Sequence, residues 1–478
     1  MKDHKTQNLF VETQKPVIKV SENIQYLTAY ANEQGIPILW HEDFAKLTNE
    51  IGTEKFREDL AQYIFEVRPP YPTQDITMKD VAKAFWDLRD NLTYQHTKPQ
   101  EDITKNVNEK HDDYKYPYKD YGLGIIDTSG THNAVSNYYH QLLRLNCPSA
   151  RGKAVANTWS EGTAREIWSC LKACWGGINN MKEVEINGVK QKMGGALTKD
   201  AYRSTFRLGS FIATQFKPLV AKTVYTMTKA EKVLDTSCGW GDRLAGFYTS
   251  NANEYIGSDP NPFTFEKYIQ QAKDYEGFLG DASPDIHIEK DFFYCKGVKK
   301  VQIYRSGAEN LPWEDIDNID CSFTSPPYFS TERYNEGGKC EEDQSWKKFV
   351  TFDDWLYKFF IPVSTNCFNS LSDKGHLFIN IIDPTIGSKR HRCCDVIVDE
   401  LLDSFKGIIG MTMAQRPLKR TAIQRENNEK GLNKELALMS EDNKLLAHYI
   451  ENVWCFGKNN LDYFEEYKTE RDRQGSLF

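Results

Sequence analysis

From residue 231 onward, short apolar runs alternate with segments of helical periodicity, and this alternation restricts the fold more than any other feature of the chain. The runs have the length of strands, and the segments between them are long enough to cross from one strand to the next. Parallel strands need such crossovers, whereas antiparallel hairpins do not. The pattern therefore predicts an α/β fold with a doubly wound, mostly parallel sheet. The runs begin near residues 232, 254, 301, 319 and 376.

The sequence before residue 205 has a different pattern of apolar residues. Residues 44–67 and 78–95 place apolar side chains three and four positions apart, which is typical of amphipathic helices. Residues 97–122 are charged and rich in tyrosine, and we interpret them as a connector or a binding loop. A chain of 478 residues usually folds as two or three domains. We expect a mostly helical region at 1–204, a sheet domain at 205–460 and a tail at 461–478.

The composition excludes several classes of protein. The chain has no run of twenty apolar residues and begins with a polar segment, so neither a membrane span nor a secretory signal is predicted. Its eleven cysteines form no CxxC pair and no Cys/His spacing typical of zinc, so no metal site is predicted. These features together lead us to expect a cytoplasmic protein with reduced thiols.

Basic residues are concentrated in one part of an acidic chain. The net charge is −8, yet residues 141–232 hold fifteen Lys and Arg against six acids. Contacts with phosphates depend on local rather than net charge, so this block is a candidate nucleic-acid interface. A solvated basic surface without a ligand explains the same block equally well.

A glycine-rich turn follows the first apolar run of the sheet region. The run ends at Asp235, and Gly239 and Gly241 then precede a segment with helical periodicity. Glycine lets the backbone approach a ligand because it carries no Cβ. The next run ends at Asp259, where an acid can accept hydrogen bonds from a ribose. The arrangement indicates a nucleotide-like cofactor, with a tight turn that binds no ligand as the alternative.

A second motif follows the run at 319–323. Ser325-Pro326-Pro327-Tyr328 leaves that strand in a turn made rigid by two prolines. An exocyclic amine of a base is a poor nucleophile, so its attack on a methyl group needs oxygen acceptors and a surface on which the ring can stack. Ser325 Oγ and the Pro326 carbonyl can serve as acceptors, and Tyr328 can stack. Residues 68–71 have a similar Pro-Pro-Tyr sequence with Arg in the first position, and we interpret them as a helix stop.

Together these motifs resemble the class I S-adenosylmethionine-dependent methyltransferases, and the second resembles the (Asp/Asn/Ser)-Pro-Pro-(Tyr/Phe/Trp) motif of the amino-methyltransferases of DNA. The resemblance covers about residues 205–458. It implies that Asp235 lies near the methionine ammonium, that Asp259 binds the ribose and that S-adenosylmethionine is the cofactor. Leu244 stands where a dinucleotide-binding GxGxxG motif would have its third glycine, and Ser237 stands where many amino-methyltransferases have an aromatic residue.

The same resemblance assigns further residues. A segment containing Phe216 and Pro218 would pack over the methionine part of the cofactor, and Glu309 would lie near the adenine. The cofactor residues implied are therefore Phe216, Pro218, Asp235, Ser237, Cys238, Gly239, Gly241, Asp259 and Glu309, and the catalytic turn is Ser325, Pro326, Pro327 and Tyr328. The end of the fold would be an antiparallel pair formed by residues 410–413 and 449–456.

In the family that the chain resembles, serine in the first position of the motif is commoner among cytosine-N4 enzymes, and Asp or Asn dominates among adenine-N6 enzymes. The resemblance therefore favours N4 of cytosine in DNA as the methylated amine. The alternatives are N6 of adenine, a base in RNA, and a non-catalytic nucleic-acid-binding protein on the same scaffold. The base must be flipped out of a duplex or be single-stranded already. Target recognition is expected in the N-terminal half or in two loops, 330–348 with Arg333, Tyr334, Trp346, Lys347 and Lys348, and 416–434 with Arg416, Lys419, Arg420, Arg425, Lys430 and Lys434. The sequence indicates no oligomeric state.

Overall fold

The structure is a computed structural model, and the residues that it describes are 18–98, 115–116, 121–127, 130–150, 152–178, 182–186, 189–193, 196–412 and 451–460. The predicted recognition loop at 416–434, the predicted tail and most of the connector at 97–122 lie outside the described residues. Within the described part of the chain, no helix has the length and hydropathy needed to cross a bilayer.

The α-helices α1 to α14 are His41–Ile51, Thr53–Val67, Met78–Asp90, Ala134–Leu145, Val155–Glu161, Ala164–Ile178, Lys199–Gly209, Pro218–Met227, Asp242–Thr249, Pro262–Leu279, Ser345–Lys348, Phe352–Trp355, Ile361–Asn369 and Cys394–Glu400. The strands β1 to β15 are Thr97–Lys98, Tyr121–Ile126, Lys182–Ile186, Val189–Met193, Lys232–Asp235, Glu254–Ser258, Asp285–Ile288, Phe292–Lys296, Lys300–Tyr304, Ile319–Thr324, Leu371–Asn380, Thr385–Ile386, Lys389–Arg390, Phe405–Thr412 and Glu451–Gly457.

The first of two compact units comprises residues 1–74 and 155–210, and its described part is mostly helical. The helix predicted over 44–67 is divided at Gly52, whose φ of 83° interrupts the helical backbone. The prediction of a helix stop at 68–71 is confirmed, because α2 ends at Val67 and Arg68 adopts the left-handed conformation. A fully buried Trp159 lies at the centre of the unit and donates a 2.6 Å hydrogen bond to the Pro69 carbonyl.

The second unit comprises residues 75–154 and 211–478, so the units do not follow the single boundary predicted near residue 205. The physical reason is that residues 75–154 supply parts of the sheet unit. Strand β2 pairs in parallel with β14, and helices α3 and α4 share one hydrophobic core with α8, α9 and α10. Helical periodicity alone does not indicate the core in which a helix is buried.

The sheet of the second unit confirms the predicted doubly wound, mostly parallel arrangement. Its described strands have the order β1-β2-β14-β15-β11-β10-β5-β6-β9-β8-β7. The central strands β11, β10, β5, β6 and β9 are parallel, and β15 is antiparallel to both β11 and β14, as predicted for the end of the fold. The pairs β1–β2 and β7–β8, which extend the two edges, were not predicted.

Both faces of this sheet are apolar, which explains why its strands have nearly continuous apolar sequences. In β15, Val453 and Cys455 enter one core, whereas Trp454 and Phe456 enter the other. The first core also contains residues of α3, α4 and α8 to α10, and the second contains residues of α12 to α14. The polar residues that could act on a ligand are therefore confined to the ends of the strands.

Candidate active site

The turns that follow β5 and β10 line one cavity of about 260 Å³ at the carboxyl end of the sheet. The first turn contributes Ser237 and Gly239, the second contributes Ser325 and Tyr328, and Asp259 follows β6. In open parallel sheets this edge is the usual place for a ligand. The two motifs predicted from the sequence therefore meet at one site.

Ser237 connects the two turns directly. Its hydroxyl donates to the Ser325 carbonyl oxygen over 2.9 Å and accepts from the Ser325 amide nitrogen over 3.2 Å. The same hydroxyl lies 2.8 Å from Thr324 Oγ1. Strands β5 and β10 are adjacent and in parallel register, so both turns begin at the same level of the sheet. Ser237 thus fixes the catalytic turn relative to the glycine-rich turn.

Asp235 does not lie where the resemblance places it. Its side chain is fully buried and does not line the cavity. One carboxylate oxygen accepts from Arg243 Nε over 2.9 Å and from the Tyr255 hydroxyl over 2.7 Å, and the other accepts from the Ser237 amide. The geometry therefore gives Asp235 a structural function, as the buried partner of Arg243, rather than contact with a ligand.

The two glycines of the turn differ in what surrounds them. Both have positive φ, 60° at Gly239 and 73° at Gly241, which only glycine adopts readily. A Cβ on Gly239 would meet only the Ser237 carbonyl, at 3.6 Å. A Cβ on Gly241 would overlap the amide oxygen of Gln271 and lie 2.7 Å from His140 Nε2. Gly239 faces the cavity, whereas Gly241 allows close packing inside the protein.

Asp259, which follows β6, lines the cavity. Oδ2 accepts from the Gly239 amide over 2.9 Å, and Oδ1 accepts from the Asn261 amide over 3.0 Å and the Thr264 hydroxyl over 3.2 Å. Desolvation raises the pKa of this carboxyl to about 6. Cys238, next to Gly239, also lines the cavity, and burial raises the pKa of its thiol.

Acidic side chains dominate the charge of the cavity. Burial raises the pKa of Asp242 to about 6 and that of Glu451 to about 7, the latter with a contribution from the negative charge of Glu332. Among the described lining residues the only Lys, Arg or His is Arg243, which is paired with Asp235. Such a cavity attracts a cationic ligand. Its carboxyl groups belong to Asp242, Asp259, Glu309, Glu332, Asp343 and Glu451.

The remaining predicted cofactor residues divide into two groups. Phe216 lines the cavity, with the Arg243 guanidinium 5.0 Å from its ring centroid. Glu309 lines it too and forms a 2.9 Å ion pair with Lys348. Pro218 begins helix α8, is buried and does not line the cavity, because the helix that it starts packs into the core beneath the site.

The Ser-Pro-Pro-Tyr turn is anchored by a residue that sequence reasoning missed. Ser325 Oγ donates to Asn380 Oδ1 over 3.2 Å, and the Tyr328 hydroxyl donates to the Asn380 carbonyl over 3.2 Å. Pro327 lines the cavity, whereas Pro326 is buried and does not. Asn380 is the last residue of β11, next to β10, and its polar side chain at the end of an apolar strand was the signal for it.

The loop at 330–348, predicted to recognise the target, borders the cavity. Tyr334 lines the cavity, as do residues 343–345. The cationic side chains proposed for recognition are each in an ion pair with an acid: Arg333, Lys347 and Lys348. This loop therefore offers fewer free cations to a phosphate than its sequence suggests.

The basic residues of 141–232 divide between the two compact units, and Arg144, Lys217 and Lys222 among them are buried. Lys222 donates to three main-chain carbonyls at the end of α3 and so acts as a helix cap. Arg165 and Arg207, on α6 and α7 of the first unit, are exposed. The excess of positive charge read from the sequence is thus partly structural.

A group of potential metal ligands lies elsewhere in the second unit. Asp383, Cys393 and Cys394 bring their ligand atoms within 4.8 Å of one another. However, Asp383 Oδ1 accepts from both cysteine amides at the start of α14, and Oδ2 pairs with Arg390. These bonds make Asp383 a helix cap.

No protein-family model matches this sequence, and no curated protein matches it significantly. Trm1 from Pyrococcus horikoshii in complex with S-adenosyl-L-methionine is similar at 12% identity and a TM-score of 0.28, over 53% of this chain and 58% of that one. The SAH-bound methyltransferase PaMTH1 of Podospora anserina is similar at 12% identity and a TM-score of 0.22, over 35% of this chain and 53% of that one. An rRNA methylase from Streptococcus thermophilus is similar at 13% identity and a TM-score of 0.25, over 52% of this chain and 100% of that one. This chain thus covers little more than half of the first two, and the resemblance is partial.

The two glycines of the turn should respond differently to alanine. Gly239→Ala introduces only backbone strain and should lower the free energy of unfolding by about 1 kcal/mol, whereas Gly241→Ala adds overlap in a packed interior and should lower it by about 2–4 kcal/mol. Denaturant unfolding of both variants measures the difference. Equal losses would contradict the distinct surroundings of the two positions.

Proposed function

We propose that this chain transfers a methyl group from S-adenosylmethionine to an exocyclic amine of a nucleic-acid base, with N4 of cytosine in DNA favoured. The observation that carries the proposal is the convergence of the glycine-rich turn and the Ser-Pro-Pro-Tyr turn on one cavity, with Ser237 joining them. A scaffold that only bound nucleic acid would not need this alignment.

The cavity residues suit this cofactor. Six carboxyl groups and one paired arginine favour a ligand that carries a sulfonium and an ammonium. Asp259 would hold the ribose hydroxyls, and Gly239 leaves room for the cofactor beside the backbone. When bound, the cofactor supplies an electrophilic methyl group, whose bond to sulfur breaks with its electron pair left on sulfur as the amine nitrogen attacks, the methylated amine then losing one proton to solvent.

Ser325 and Tyr328 would act on the base. Ser325 Oγ would accept a hydrogen bond from the amine and draw its nitrogen toward tetrahedral geometry, and the Tyr328 ring would stack on the base. The Pro326 carbonyl remains the proposed second acceptor, although the proline itself does not line the cavity. The serine in this motif is the reason for favouring cytosine N4, with adenine N6 and an RNA base as the alternatives.

Replacement of Ser325 by alanine should lower methyl transfer by orders of magnitude, because an acceptor for developing charge contributes roughly 2.7–4 kcal/mol to lowering the barrier. Affinity for the cofactor should stay near that of the wild type. Transfer is measured with tritiated cofactor on unmodified DNA. Ser283→Ala, an exposed serine outside the cavity lining and outside the predicted recognition loops, is the matched control and should keep full activity.

Mass spectrometry of nucleosides from cells that express wild type or Ser325→Ala identifies the substrate. We expect N4-methylcytosine in DNA with the wild type alone. N6-methyladenine in DNA would identify adenine N6 as the methylated amine, and a methylated base found only in RNA would identify RNA as the substrate. Methylation at the wild-type level by Ser325→Ala would remove the turn from the mechanism.

Affinity for S-adenosylmethionine should rise with pH between 5 and 8. The carboxyls of Asp242 and Asp259 have pKa values of about 6 and must be ionised to attract the cation. Protonation of either carboxyl should lower the affinity for S-adenosylmethionine by up to about tenfold for each pH unit below its pKa. Calorimetry across this range measures the effect. S-adenosylhomocysteine, with a neutral sulfur, should depend less on pH, and Asp259→Asn should flatten the curve; equal curves for both ligands would exclude this electrostatic contribution.

Exposed cations of the first unit should contribute to binding of nucleic acid. Affinity should fall with salt with a slope of about 0.9 per neutralised phosphate, and Arg165→Glu with Arg207→Glu should weaken binding to all sequences alike. Fluorescence anisotropy with labelled DNA at several salt concentrations measures both quantities. Lys290→Glu, an exposed cation of the second unit, is the control. Unchanged affinity in the double variant would assign these arginines to the solvated surface.

A further inference from the structure

Asn380 has a hydrogen-bond partner for every polar group of its side chain. It is almost fully buried at the end of β11, beside the catalytic turn. Nδ2 donates to Glu451 Oε2 over 3.3 Å and to the Asn452 carbonyl over 3.1 Å. Oδ1 lies 3.2 Å from Ser325 Oγ. The amide thus joins the end of β15 to the residue proposed to contact the substrate.

These partners determine the orientation of the amide. A carboxylate and a main-chain carbonyl are acceptors, so the group that faces them must be the NH₂ donor. The oxygen of Asn380 must then face Ser325. Because an amide oxygen only accepts, the Ser325 hydroxyl must donate its hydrogen to Asn380. A hydroxyl that donates its single hydrogen in this direction has its lone pairs directed elsewhere.

We propose that Asn380 is a positioning residue of the transfer step: held by Glu451 and the Asn452 carbonyl, its amide keeps the Ser325 hydroxyl donating into the protein and leaves the oxygen lone pairs for the substrate amine. This inference rests on the proposed function. Without Asn380, the hydroxyl is free to rotate and point its hydrogen at the amine, where it cannot accept. Asn380 also holds Tyr328 through its main-chain carbonyl, which side-chain substitutions leave in place.

Glu451 sets the amide orientation by accepting from it. This carboxyl lines the cavity, and the charged group that faces it is Glu332, which follows the catalytic turn. A carboxylate at position 380 would face Glu451 with no donor between the two groups, and their repulsion would displace the position-380 oxygen from Ser325. An amide at position 451 would supply the missing donor. Exchanging the two functional groups should therefore bring the acceptor at position 380 back to Ser325.

The first variant is Asn380→Leu, which has a similar volume and no acceptor. We expect kcat to fall on the order of tenfold, the effect of losing one hydrogen bond, with KM for DNA and affinity for the cofactor nearly unchanged. Thermal unfolding and cofactor calorimetry monitor folding. In a Ser325→Ala background the same substitution should have no further effect on single-turnover transfer, because its target hydroxyl is absent.

The second variant exchanges the groups. Asn380→Asp alone should impair kcat, since it places two carboxylates opposite each other, whereas Asn380→Asp combined with Glu451→Gln should recover part of the activity. In the combination, the aspartate accepts from Ser325 and from the new amide, but the donation to the Asn452 carbonyl is lost, so recovery stays below the wild-type level. A residue that only stabilised the fold would show recovery in thermal stability without this recovery in kcat. The swap also keeps the inference testable if Asn380→Leu does not fold.

The outcomes separate the two proposals. If the wild type is active, either of two results would overturn the function of Asn380 and leave the proposed methyl transfer intact. One is a normal kcat in Asn380→Leu, and the other is an equal effect of that substitution with and without Ser325. Failure of the swap to restore kcat in a folded, cofactor-binding protein would also overturn it. Lack of methyl transfer by the wild type on any DNA or RNA would instead overturn the proposed function itself.

Discussion

The candidate site depends on the contact between the ends of two adjacent parallel strands, made by the Ser237 hydroxyl. This hydroxyl both donates to and accepts from the main chain of Ser325, so it is satisfied within the protein and fixes one turn against the other. Beneath it, the buried pair of Asp235 and Arg243 supports the first turn, because each charge would be costly to bury without the other. A cofactor bound at the first turn would consequently face a substrate held at the second.

The chemistry of the cavity depends on burial as much as on residue identity. Acidic groups that would be ionised in water have pKa values near neutrality here, because their desolvation outweighs the hydrogen bonds that they accept. A cationic ligand stabilises the ionised carboxyls, and below their pKa the cost of ionising them is subtracted from its affinity. Glu451 accepts from Asn380, which in turn accepts from Ser325, so these polar groups form a coupled network rather than independent contacts.

Much of this site was predictable because turns are encoded locally. A strand that ends in a glycine-rich turn, and another that ends in two prolines, lie at the same edge of a parallel sheet whatever the rest of the chain does. The sequence could therefore predict that Gly239, Asp259, Ser325 and Tyr328 lie at one edge, where all four line the cavity. The predictions for Asp235 and for residues 75–154 depended on tertiary contacts. Arg243 forms an ion pair with the Asp235 carboxylate, and β2 pairs with β14, which lies more than 270 residues after it in the sequence. Neither pairing leaves a mark in local periodicity.

The sequence by itself determined the fold class of the second unit, the position of its strand ends and the residue types offered there, because apolar periodicity and the backbone limits of glycine and proline act over a few residues. Only the tertiary structure decided which of those residues face the cavity. Gly241 faces Gln271 of α10 rather than a ligand, and Asn380 at the end of β11 anchors Ser325, because packing brings together residues of elements that are separated in sequence. Burial and charge pairing, which set the chemistry of each group, are properties of these long-range contacts, so they arise only when the chain is folded.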